Sequence, residues 1–127
     1  MCMNIITLIN AINVLNQFTQ TKISVMLAYK IMKFYKNAET EKDFYEKKKS
    51  EIINTYAARD NDGNIIITDN GMISIMPDKV DEANAALKEL NNVKIEIPNL
   101  KFRLSELSEL KLSVADMFVL EEFIDVE

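Results

Sequence analysis

The stretch that decides the fold runs from Ser24 to about Ala57 and reads SVMLAYKIMKFYKNAETEKDFYEKKKSEIINTYA. It contains neither Gly nor Pro and is rich in Ala, Leu, Met, Lys and Glu, which predicts one long helix. At 1.5 Å per residue such a helix would be about 50 Å long, longer than a domain of this size is wide. The rest of the chain must therefore fold back along it or leave part of it projecting.

The two halves of this helix differ in character. The first half is apolar on most sides, which predicts that neighbouring elements cover it all round. Its apolar residues are Val25, Met26, Leu27, Ala28, Ile31, Met32, Phe34 and Tyr35. The second half keeps only a narrow stripe at steps of four and three, through Lys42, Tyr45, Lys49, Ile52 and Tyr56. Because two lysines interrupt this stripe, we favour a solvated helix packed on one side, with an antiparallel two-chain coiled coil as the alternative.

Before the long helix, the spacing of apolar residues predicts a first helix over residues 4–18. A short polar connector follows at residues 19–22. Ser24 is a suitable N-cap because its hydroxyl can accept a hydrogen bond from an unpaired backbone amide. The connector is so short that the two helices should form an antiparallel helical hairpin.

After the long helix, the sequence changes to turns and β-branched runs. Residues 65–68 and 72–75 flank Asp69-Asn70-Gly71, which predicts a β-hairpin turning there. Beyond it we predict a helix over 79–90 capped by Asp78, a strand over 93–97, an extended segment over 100–104 and a helical turn over 105–110. A last helix should begin at Ser113, which could cap it together with Asp116. We find no internal repeat in the sequence.

This order predicts an α+β fold with an N-terminal helical hairpin and a small, mostly antiparallel sheet with short helices. With 127 residues, the chain is expected to form a single domain, 1–127. Within it, residues 1–57 would form the helical hairpin, and residues 58–127 the sheet with its helices.

The composition excludes several function classes. The net charge of −5 gives non-specific nucleic-acid binding no electrostatic support, and it favours a partner with a basic surface. The chain has no histidine, the commonest general base and metal ligand. Its single cysteine, Cys2, cannot form an intrachain disulfide, which fits a reducing cytoplasm. No apolar run is long enough to span a membrane.

Three segments of the sequence could carry chemistry, and each is better explained as a structural feature such as a turn or an exposed helix face. A twelve-residue calcium-binding loop can be aligned from Ala58, with Asp60, Asp62 and Asp69 at ligand positions. Ala58 has no ligand oxygen, however, and a strand follows where a helix is required, so we interpret the segment as a plain turn. The adjacent Glu121 and Glu122 are interpreted as a solvated acidic face. The lysine run 47–49, flanked by carboxylates, is interpreted as an exposed helix face. We therefore expect no enzyme activity, no metal and no cofactor.

Five passages resemble a known group of proteins. They are LINAINVLNQF (8–18), LAYKIMKF (27–34), FYEKKKSEIINTYAARDNDGNI (44–65), LKELNNVKIEI (87–97) and LSVADMFVLEEFI (112–124). Together they resemble small, uncharacterised accessory proteins of phages and prophages of low-GC Gram-positive bacteria. Where that group has Pro near the start of the long helix, this chain has Ser24. The resemblance implies a phage source and an accessory role, and it carries over no site residues.

Two functions remain open from the sequence. The first is a phage-encoded protein that inhibits a host defence system by stoichiometric contact in the bacterial cytoplasm, as anti-CRISPR proteins do. The second is a phage structural or assembly accessory that self-associates and can be part of the virion. In both cases the partner is a protein, either a host protein with a basic surface or a second copy in a homodimer. The predicted partner-binding residues are Tyr45, Ile52, Ile53, Tyr56, Glu121, Glu122, Asp125 and Glu127.

Overall fold

The long helix is present and unbroken in the computed structural model of the chain, which describes residues 1–126. We label it α2, and it spans Val25–Tyr56. Its start is capped as predicted, since the Leu27 N–H donates to Ser24 Oγ at 3.3 Å. Ser24 in turn donates from its N–H and its hydroxyl to the Glu109 carboxylate, at 2.8 and 2.5 Å. A negative group at a helix N-terminus is favourable because the helix dipole is positive there.

The chain divides into two compact units, and α2 contributes to both. The first unit consists of Met1–Lys42 and the chain from Lys94 onward, and the second is Asp43–Val93. The division therefore falls within the long helix, whereas the sequence suggested subdividing the chain after residue 57.

The first unit is α+β, with two small sheets beside its helices. Helix α1 spans Ile5–Leu15, and a 3₁₀ turn at Asn16–Phe18 completes the predicted first helix. Strands β1 (Cys2–Asn4) and β2 (Lys94–Glu96) pair antiparallel, with Met3 opposite Ile95. Strands β3 (Phe102–Arg103) and β4 (Ile124–Asp125) pair in parallel, with Phe102 opposite Ile124. The sequence predicted β2 and β3 but neither of their partners.

The core of the first unit is built around Phe34 of α2. Its ring centroid lies 5.8 Å from that of Phe102 and 5.3 Å from that of Phe123. All three rings are at most 1% exposed. Leu8, Ile12 and Leu15 of α1 complete the same buried cluster. Residues from the start, middle and end of the chain thus meet in one core.

Helix α4 (Val114–Leu120) closes the first unit and begins with the predicted cap. The Asp116 N–H donates to Ser113 Oγ at 3.0 Å, and the Ser113 N–H donates to the Asp116 carboxylate at 3.1 Å. These reciprocal bonds form a capping box. The predicted helical turn before it is a 3₁₀ turn at Glu106–Glu109.

In the second unit, three short extended segments form a ring of backbone hydrogen bonds. The Ala58 N–H donates to the Ser74 carbonyl, Ser74 to Ile66, and Ile66 back to Ala58, at 2.8–2.9 Å. Single antiparallel bridges join Ala57 to Ile75, Arg59 to Ile65, and Ile67 to Ile73. The hairpin therefore turns where predicted, but isolated bridges replace the continuous strands.

This ring has a periodicity in its backbone hydrogen bonds that the sequence analysis did not find. The three central residues are eight positions apart, and so are three turn bonds, from the N–H groups of Gly63, Gly71 and Lys79 to Asp60, Thr68 and Met76. Both glycines have positive φ, +83° and +78°. The hydrogen-bond pattern thus repeats every eight residues, although the third turn is a 3₁₀ turn in which Lys79 has a φ of −116°. The repeat is hidden in the sequence because few of its positions need a particular side chain.

Helix α3 spans Val80–Asn91 and follows a 3₁₀ turn at Pro77–Lys79. Its N-cap is Lys79, so the prediction that Asp78 caps this helix is wrong. Asp78 lies instead within the 3₁₀ turn, which the preceding Met76-Pro77 pair initiates. The fixed φ of Pro suits the first position of such a turn.

Candidate protein-binding surfaces

Tyr45, predicted to be an interface anchor, belongs to the core of the second unit. Its side chain is only 6% exposed, and its hydroxyl donates to Asn91 Oδ1 at 2.7 Å. Burial raises the pKa of this hydroxyl above its ordinary value. Tyr45 is therefore not a free contact residue. Sequence reasoning placed it correctly on the apolar stripe of α2 but could not show that α3 covers it.

Ile52 and Ile53 are half-buried and line an apolar cavity of about 300 Å³ in the second unit. We call it the isoleucine cavity. All of its lining residues are hydrophobic except Asn84, and they include Met72, Ile73, Val80 and Leu87. The cavity opens to solvent, since Met72 is 67% and Val80 41% exposed at its rim. Tyr56, on the last turn of α2, is half-buried and does not line it.

The chain around the isoleucine cavity is acidic. Residues 60–89 carry seven carboxylates and two lysines, and Lys79 is already paired with Glu82 at 3.2 Å. Over the whole second unit there are ten carboxylates and six cations. Next to lining residues in sequence are the exposed carboxylates of Glu51 and Asp81 and also the cations of Lys79 and Lys88. The cavity thus combines apolar walls with a chain segment of net negative charge.

The predicted acidic end of the chain lies in the first unit. Glu121 and Glu122 form a 3₁₀ turn with Phe123, and both are exposed. Asp125 is exposed on β4, where it pairs in register with Arg103 of β3. Glu127 lies outside the described residues. These carboxylates and the isoleucine cavity therefore belong to different units.

Sequence reasoning missed an exposed apolar surface on the first turns of α2. Val25 is 82%, Met26 79%, Tyr29 56% and Met32 40% exposed. We call these four residues the α2 start face. The prediction that neighbours cover this half of the helix all round is wrong, because only the opposite side is buried. That buried side consists of Leu27, Ile31, Phe34 and Ala38.

A charged cleft of about 530 Å³ adjoins the α2 start face and is lined by Met26, Tyr29, Lys30, Lys33 and Arg103, among others. The two carboxylates that line it already have partners. Glu106 pairs with Lys30 at 2.8 Å, and Glu109 accepts the hydrogen bonds from Ser24. The Lys30 hydrogen bond lowers the pKa of Glu106.

The chain segment that carries the α2 start face is rich in lysine. Residues 22–37 contain four lysines and no carboxylate. The charge of this segment is opposite in sign to that of residues 60–89.

The calcium-like window is organised as a turn. Asp60 Oδ1 accepts hydrogen bonds from the Asp62 and Asn64 N–H groups at 2.9 and 3.0 Å. One carboxylate oxygen is thus already satisfied by backbone, as is typical of an Asx turn. Within residues 1–126 no three His, Cys, Asp or Glu side chains cluster in a way that could hold a metal ion.

Comparison of the chain with protein-family models, with curated proteins and with solved structures finds no match. In the described part of the chain, no helix has the length and apolar character needed to cross a bilayer. The candidate function therefore rests on the two surfaces, which are the isoleucine cavity and the α2 start face.

Proposed function

We propose that this chain is a non-enzymatic, phage-encoded protein-binding module that inhibits a host defence system by stoichiometric contact in the bacterial cytoplasm. The observation that carries the proposal is the isoleucine cavity, an apolar opening within an acidic segment. It is lined by Ile52 and Ile53, two of the residues assigned to partner binding from the sequence. A basic protein surface with one protruding apolar side chain would match it.

The physical case rests on size and charge. A cavity of about 300 Å³ is at the small end of ligand pockets and suits one or two large side chains. Interfaces gain most of their affinity from a few such anchors in desolvated pockets. The surrounding carboxylates would speed encounter with a basic partner and select against an acidic one.

A second function, a self-associating phage assembly accessory, is favoured by a different observation. The α2 start face leaves three of its four apolar side chains more than half exposed. An uncovered apolar helix face of this kind is typical of a surface that contacts another chain. In that role the protein would be found with capsid or tail components.

Affinity capture from a lysate of the bacterial host separates the two functions. The tagged wild-type chain should recover a defence nuclease or sensor in stoichiometric amount, and an Ile53→Asp variant should lose it. The control is Ile67→Asp, the same substitution at a position that is 63% exposed and outside the cavity. Circular dichroism should show both variants folded. Recovery of capsid or tail proteins would favour the accessory role. A folded Ile53→Asp variant with full recovery would contradict the assignment of the cavity.

A further inference from the structure

We infer that the isoleucine cavity of one copy binds the α2 start face of a second copy, so that the chain self-associates head to tail. This rests on the proposed function insofar as the same cavity is the partner site. It goes further by naming the partner surface. Two different patches meet in such a contact, which makes it a heterologous interface.

The apolar parts of the two surfaces are complementary in kind. Val25, Tyr29 and Met32 stand at positions i, i+4 and i+7 of α2, the spacing with which a helix presents anchors to a groove. They are 82%, 56% and 40% exposed. The cavity offers walls of Ile, Val, Met and Leu side chains and a volume of about 300 Å³. Methionine side chains at both surfaces can adapt to irregular contacts.

The charges around the two surfaces are opposite in sign. Residues 22–37, which include the α2 start face, contain no carboxylate and four lysines, of which Lys30 is paired with Glu106. The others are Lys22, Lys33 and Lys36. The segment that forms most of the cavity wall has seven carboxylates and two lysines. Charge complementarity of this kind steers association and fixes which patches meet.

Before any host partner is bound, this distribution favours a second copy as the occupant of the cavity. An isolated acidic cavity would call for a basic partner of unknown origin. Here the chain itself has an exposed apolar helix face in a lysine-rich segment, which meets the same requirements. Like charges disfavour the alternative symmetric contacts, in which cavity meets cavity or α2 start face meets α2 start face.

The test is a complementation experiment with two variants, read by sedimentation velocity. Met26→Asp/Tyr29→Asp removes the α2 start face at two exposed positions, and Ile53→Asp removes the cavity. Wild type should associate with rising concentration, and each variant alone should associate at least tenfold more weakly. An equimolar mixture of the two variants should form a dimer and nothing larger, because one intact surface remains on each chain. Raising the salt from about 0.1 to 1 M should weaken the wild-type association.

Further variants keep the test decisive. Met72→Asp, at a rim position that is 67% exposed, replaces Ile53→Asp should that variant fail to fold. Phe118→Asp, at an exposed apolar position on α4 outside both surfaces, should leave association unchanged. A binding free energy of about −4 kcal/mol corresponds to a Kd of about 1 mM. A wild-type chain that is still monomeric at that concentration therefore overturns the inference. So does a mixture of the two variants that stays monomeric.

A designed amphipathic Leu/Lys helical peptide separates this inference from the proposed function. If wild type is monomeric but binds this peptide, and Ile53→Asp abolishes binding, self-association is overturned while the cavity remains a site for basic partners. If the chain self-associates as described but no host protein depends on Ile53, the defence-inhibitor proposal fails and the inference stands. The control peptide has Glu in place of Lys, and equal binding of both peptides would overturn the role of charge.

Discussion

The two units of this molecule differ in what stabilises the interior of each one. In the part of the chain that the structure describes, all the largest fully buried side chains belong to the first unit. They are Phe34, Phe102, Phe123, Ile5, Leu8, Ile12, Leu15 and Leu120. The buried hydrophobic residues of the second unit are Tyr45, Ala57, Ala83 and Leu90. That unit also contains the closed ring of backbone bonds through Ala58, Ile66 and Ser74.

This difference bears on which surfaces remain free for binding. The first unit fills its interior with large side chains. The apolar residues of the α2 start face lie outside this interior and are exposed. The second unit holds its segments by backbone bonds, which use no apolar side chains. Isoleucines of its extended segments therefore stay partly exposed, and Ile73 is 37% exposed beside the cavity. Each unit thus exposes apolar surface for its own physical reason.

Removing the central ring of the first unit should have the largest effect. Phe34→Ala should lower the free energy of unfolding by about 3 to 5 kcal/mol, because it leaves a cavity among rings that pack within 6 Å. Denaturant unfolding measures the loss. The matched control is Phe44→Ala on the same helix in the second unit, at a position that is 43% exposed. That variant should lose about 1 kcal/mol or less. Equal losses in both variants would show that the first unit does not depend on this core.

Strain in the backbone ring should have an intermediate effect. Gly71 has φ of +78°, and a Cβ there would meet no atom within 4 Å. Gly71→Ala should therefore cost about 1 kcal/mol from conformation alone. Hydrogen exchange should quicken at the Ile66 and Ser74 amides, which donate within the ring. The eight-residue repeat predicts a similar cost for Gly63→Ala, and a neutral effect at both glycines would contradict the strain argument.

Lowering the pH should have the smallest effect on the stability of the fold, and this effect arises at the N-terminal cap of α2. Hydrogen bonds from the Ser24 hydroxyl and N–H lower the pKa of Glu109 below its ordinary value of 4.5. A carboxyl whose pKa is lower in the folded state stabilises the fold above its ordinary pKa, and this contribution is lost as the pH falls through the folded-state value. A Glu109→Gln variant should therefore show a flatter fall in stability below about pH 4.5. Glu121→Gln, at an exposed turn position, is the control and should keep the wild-type acid profile.

The sequence by itself determined the elements whose signals are local. α2 forms because 34 residues from Ser24 contain strong helix formers and neither Gly nor Pro. The caps at Ser24 and Ser113 follow from side chains that accept a backbone N–H three residues away, and the turn at Gly71 follows from the positive φ that glycine tolerates. The α+β class follows from the order of these elements. For the same reason, the helical spacing placed Tyr45 and Ile52 on one stripe of the helix.

Only the tertiary structure decided which of these residues are covered. β1 and β4 are too short to be recognised alone and exist because segments far away in the chain pair with them. Tyr45 is buried, and its hydroxyl donates to Asn91, a residue 46 positions later in the chain. The α2 start face is exposed because its neighbours pack against the Phe34 side and leave the other side bare. Burial depends on contacts between residues distant in sequence, and no local pattern encodes which side of a uniformly apolar helix those contacts will reach.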